Sequence, residues 1–92
     1  MTKNSVEKLS GFYVVTGASS GIGLELAKLA AEDGAALLLV ADRDLSDAKR
    51  VVQQCGASEV ETLKVDLATV EGTDRVIEKI GSRSVDGLMA NA

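Results

Sequence analysis

Apolar residues fall in short runs, separated by longer stretches in which they recur at helical spacing. FYVV, Phe12 to Val15, predicts a first strand that leads into Thr16 and a glycine loop. From Gly21 to Asp33, Ile22, Leu26, Leu29 and Ala30 recur on one helical face, with Glu25, Lys28 and Glu32 on others. Gly34 is placed to end that helix, because glycine accepts the left-handed cap conformation. AALLLVA, Ala35 to Ala41, is a continuous apolar run of the kind found in strands covered on both faces. Asp44 or Ser46 can cap a second helix, in which Leu45, Ala48, Val52 and Cys55 form one stripe and Gly56 is the stop. Val60 to Val65 reads VETLKV, and its charged Glu61 and Lys64 suit an edge strand. Thr69 caps a third helix carrying Val70, Val76, Ile77 and Ile80, closed by Gly81. Asp86 to Ala92 is a last β-like run.

The order β-α-β-α-β-α-β places the chain in the α/β class, as a three-layer, doubly wound parallel sheet with right-handed crossovers. No internal repeat, low-complexity stretch or linker divides residues 1–92. A chain of 92 residues buries only somewhat more than roughly 60% of its unfolded surface, so marginal stability is expected. Hydrophobic residues at 46% and charged residues at 26% are ordinary globular usage and exclude a disordered chain.

Composition then narrows the chemistry. With no histidine the commonest general base and metal ligand are missing, and no metal site is expected. The single Cys55 excludes an internal disulfide and a cysteine-built zinc site, and is read as half-buried on its helix. A net charge of −4, with no run of like charges longer than two, argues against nucleic acid and anionic lipid as partners. The longest apolar run is seven residues, far short of the ~20 that span a membrane. MTKNSVEKLSG lacks the apolar core of a signal peptide, so a cytoplasmic, reducing setting is expected.

Candidate chemistry concentrates in Thr16-Gly17-Ala18-Ser19-Ser20-Gly21-Ile22-Gly23, between the first strand and the first helix. Gly17 permits a sharp turn off the strand, Gly21 removes a side chain where phosphates would approach the backbone, and Gly23 allows close helix packing. The free N–H groups of the helix start suit a pyrophosphate, and Ser19 and Ser20 add hydroxyl donors. No Lys-Ser or Lys-Thr follows the glycines, which disfavours a triphosphate loop. A dinucleotide is the expected ligand.

Asp42, 25 positions after Gly17, ends the second strand where a carboxylate accepts hydrogen bonds from the adenosine ribose. It also repels a 2′-phosphate, by about 4 kcal/mol at ~4 Å in an effective dielectric of about 20 before solvent screening. NAD is therefore expected over NADP, although the adjacent Arg43 can meet a 2′-phosphate if Asp42 swings away. Asp66, in Val65-Asp66-Leu67, either accepts from the adenine amino group, with Leu67 packed on the ring, or caps the turn before the third helix.

Together these residues resemble the short-chain dehydrogenase/reductase family over nearly the whole chain. TGASSGIG is similar to the family's Thr-Gly-x-x-x-Gly-x-Gly pattern, Asp42 to its NAD-selecting acid, and KVDLA to its adenine-contacting segment. Leu88-Met89-Ala90-Asn91-Ala92 resembles the start of its Asn-Asn-Ala-Gly motif, with Ala90 in place of the first asparagine and Asn91 as a cofactor-side residue. The resemblance implies a Rossmann-like sheet of strand order 3-2-1-4 and a nicotinamide cofactor. It also implies a longer enzyme whose serine and Tyr-x-x-x-Lys pair lie beyond the fourth strand. No catalytic residue is assigned here: Tyr13 has Gly17, not lysine, four positions later, and is read as core.

Two functions fit these residues. The first is the N-terminal, dinucleotide-binding part of an oxidoreductase that interconverts a secondary alcohol and a ketone by hydride transfer, with the catalytic part absent and the substrate unspecified. The second is a non-enzymatic nucleotide-binding or self-assembling module. In either case Leu88 and Met89 on an uncovered fourth strand imply self-association.

Overall fold

A computed structural model describes residues 11–91. Residues 1–10, read above for a signal peptide, and Ala92, the end of the last β-like run, lie outside the described residues. The elements are β1 (Phe12–Thr16), α1 (Gly21–Glu32), β2 (Ala36–Ala41), α2 (Ser46–Gln54), β3 (Glu59–Lys64), α3 (Val70–Ile80) and β4 (Gly87–Met89). All strand pairs are parallel and the order is β3-β2-β1-β4, as expected. Boundaries move by a residue at most places; β4 is shorter than the β-like run from Asp86, keeping only the three residues that pair with β1.

Strand alternation divides the core between the two faces of the sheet. Val15, Leu37, Leu39 and Ala41 point to one face and pack with Ala27, Ala30 and Ala31 of α1 and Ala48 and Val52 of α2. Phe12, Val14, Leu38 and Val40 point to the other face, toward Val76 and Ile80 of α3. Leu37 through Val40 are essentially solvent-free, which is why that run is unbroken in the sequence. Each such side chain contributes about 1.5–3 kcal/mol on burial.

Two helical faces differ from expectation. The buried face of α1 is Gly23, Ala27, Ala30 and Ala31, whereas Ile22 is 69% exposed and Leu29 lies largely in solvent. The fully buried positions of the helix are all small, and the larger Leu24 packs against the same core only partly buried. In α3, Val76 and Ile80 are half-buried, Gly72 is buried, and Val70 and Ile77 are exposed. Val76 and Ile80 meet the sheet and, with the exposed Ile77, also line an apolar groove against Val14, Leu67, Val85 and Leu88. The α2 stripe is as read, with Leu45, Ala48 and Val52 buried and Cys55 half-buried.

Thr69 caps α3, its side chain accepting from Gly72 N at 3.0 Å. At α2 the N-cap position is Leu45, and Asp44 serves from one residue earlier, accepting from Ser46 N at 3.0 Å and Ser46 Oγ at 2.7 Å. Those two bonds, the hydroxyl's first, hold the Asp44 carboxyl below the usual carboxylate range. β3 is an edge strand, and Glu61 on it pairs with Lys79 and Arg83 from α3 and the turn after it. Arg83 also lies 4.3 Å over the Phe12 ring and donates to the carbonyls of Lys79 and Ile80, clasping the end of α3 to the sheet. No helix among the described residues is long and apolar enough to cross a membrane.

Candidate functional site

Parallel strands all end on one side of the sheet, so the loops that follow β1, β2 and β3 gather there. They enclose an open cleft of about 850 Å³, lined by Gly17, Ser19, Ser20 and Gly21 from the first loop, Asp42 and Arg43 from the second, and Asp66 and Leu67 from the third. Asn91, just past β4, closes the fourth side. Of the residues singled out in the sequence, Ile22 and Gly23 stand apart from the cleft wall. Ile22 projects into solvent from the first turn of α1, and Gly23 is buried beneath the loop. Thr16 and Ala90 line the cleft without having been singled out, although Thr16 opens the glycine pattern itself.

The glycines do different work. Gly17 has φ +63° and its Cα faces Asn91, where a Cβ would run into the Asn91 carbonyl oxygen. Gly23 is helical, and a Cβ there would collide with the Gly17 carbonyl and press on the Asn91 amide. Gly21 has φ +61° with open space around it, so its requirement is the left-handed backbone and the unobstructed approach to the cleft. Asn91 braces this arrangement, its N–H donating to Thr16 Oγ1 at 3.1 Å. The buried Ala18 ties the loop to β2 through a bond from its N–H to the Val40 carbonyl at 3.3 Å.

Electrostatically the start of α1 is prepared for an anion. Its N-cap, Ser20, makes no side-chain capping bond, and the first backbone bond into the helix comes from Leu24 N, leaving the N–H groups of the first turn without a helical acceptor. Its first turn carries no acid, whereas the first turns of α2 and α3 carry Asp47 and Glu71. The positive end of the helix dipole is therefore uncompensated where the cleft opens.

On the opposite wall Asp42 Oδ1 and Arg43 Nε are 3.8 Å apart, with side chains 70% and 78% exposed. An exposed pair of this kind contributes at most about 1 kcal/mol and either partner is readily exchanged. Asp66 Oδ1 accepts from Ala68 N at 2.9 Å, so Asp66 does close the turn before α3, with its second carboxylate oxygen still available to the cleft it lines. The two roles open in the sequence are compatible. No group of three metal-ligating side chains occurs among the described residues. A cradle of uncapped N–H groups, glycine-thin walls and two acids at strand ends fits a dinucleotide's pyrophosphate, ribose and adenine.

A family model described as short chain dehydrogenase matches residues 12–92. Among solved structures, L-sorbose reductase from Gluconobacter frateurii, complexed with NADPH and L-sorbose, is 40% identical at a TM-score of 0.83, over 91% of this chain and 34% of that one. Glucose dehydrogenase of Caenorhabditis elegans is 27% identical at a TM-score of 0.84, over 94% and 39% of the two chains. Protochlorophyllide reductase of Cucumis sativus is 34% identical across 86 residues, 89% of this chain and 22% of that protein. The chain thus spans 22% of the length of that curated reductase and 34% and 39% of the two solved chains. With the match beginning at the first residue of β1 and running over the loop and sheet just described, the chain belongs to the short-chain dehydrogenase family.

Proposed function

We propose that this chain is the cofactor-binding portion of an NAD(P)-dependent oxidoreductase that interconverts a secondary alcohol and a ketone by hydride transfer. The observation that carries it is the convergence, in one cleft, of the uncapped α1 start, the Asp42–Arg43 pair and Asp66. The cofactor, when bound, supplies the hydride acceptor or donor. The chain's own residues bind and orient it: first-turn N–H groups of α1 with Ser19 and Ser20 on the pyrophosphate, the second loop on the adenosine ribose, and Asp66 with Leu67 on adenine. No Tyr-x-x-x-Lys pair occurs among the 92 residues, so binding without turnover is expected of the chain alone.

Cofactor choice falls on one ion pair. Asp42 by itself favours NAD, but at 70% exposure its repulsion of a phosphate is heavily screened, and its side chain already leans toward Arg43. A 2′-phosphate, with more charge than a carboxylate, is the stronger partner for that guanidinium. The L-sorbose reductase, 40% identical, was solved with NADPH. NADP is therefore the favoured cofactor. Isothermal titration of the chain with NADP, NAD and AMP tests this. NADP binding tighter than NAD is expected; tighter NAD overturns the cofactor choice, and no binding of any of the three overturns the functional reading.

A second reading, a self-assembling nucleotide-binding module, is favoured by the far edge of the sheet. β4 carries no charge, and beside it Leu88 is 64% exposed along the apolar groove. Pairing of two β4 edges between copies would cover both features.

A further inference from the structure

We draw no further inference here: the strongest candidate, the apolar groove between α3 and β4 lined by Val14, Leu67, Val76, Ile77, Val85 and Leu88, carries nothing, because beyond the strand pairing already considered nothing in the structure shows what covers it.

Discussion

Among the described residues Arg43 is the one cation on the cleft wall, and its only ion-pair partner there is its neighbour Asp42. Arg43→Leu is expected to weaken NADP binding by about tenfold or more while leaving NAD nearly unchanged, as read by calorimetry. Equal losses for both cofactors would place Arg43 away from the 2′-phosphate. Gly23 supplies a sharper test of the loop. Helix propensity alone predicts that Gly23→Ala stabilises by about 1 kcal/mol. Here the added Cβ meets the Gly17 carbonyl, so a net loss of about 1–3 kcal/mol in chemical denaturation is expected, together with lost dinucleotide binding. At the other end of the sheet, partial burial pushes the Glu61 carboxyl up, but the hydrogen bond and charge of Arg83, with Lys79, outweigh it and hold the group below its ordinary value of 4.5. A carboxyl lowered in the folded state stabilises fully above that ordinary value, and the contribution fades as pH falls below it toward the folded value. The stability gap between the unaltered chain and Glu61→Gln should therefore be constant near neutrality and close in acid. A gap that does not narrow at all as the pH falls below the ordinary carboxylate range would assign the effect to packing instead.

Among the elements, the helices differ in how they meet the sheet. α1 lies close through alanines and Gly23, and α2 through Leu45, Ala48 and Val52. α3 rests on half-buried Val76 and Ile80, the Arg83 clasp and the Thr69 cap. Substitutions should report this difference. Ile77→Lys, at a side chain 62% exposed, is expected to change unfolding free energy by no more than about 0.5 kcal/mol. Leu38→Ala, between β1 and β3 and fully buried, is expected to cost about 2–5 kcal/mol. Comparable losses at the two sites would mean that α3 is covered on its outer flank in solution. Helical spacing in the sequence located all three helices, and Thr69 was legible as a cap because threonine before a helix satisfies an orphan N–H. Spacing does not reveal which apolar residues are buried. Ile22, Leu29 and Ile77 fit a stripe as well as Ala27 or Val76, and only the way each helix lies on the sheet decided which of them is covered.

For the whole molecule, the two sheet edges are handled in opposite ways. β3 carries Glu59, Glu61 and Lys64, which discourage pairing with another chain, whereas β4 reads Gly-Leu-Met. Self-association through β4 is expected to appear in light scattering as a species heavier than one chain, and Leu88→Lys should return it to a monomer. A monomer throughout, or association indifferent to Leu88→Lys, would remove β4 as the contact. The class of fold, the order of the elements and the glycine loop were all readable from the chain, because periodicity and loop spacing are local properties. The cleft was readable only as a set of points. Nothing in the sequence shows that residues as far apart as Gly17, Asp42, Asp66 and Asn91 meet, except the rule that parallel strands end together. Local pattern in the chain suffices for a wound α/β chain with a phosphate-type loop and an acid at the end of each of the next two strands. Packing between elements sets Asn91 against Gly17, Arg83 over Phe12 and beside Glu61, and Gly72 so near the Asp66 carbonyl that no side chain fits there. Those contacts join residues far apart in the chain or through space that only packing defines, so each depends on what stands opposite rather than on what stands next.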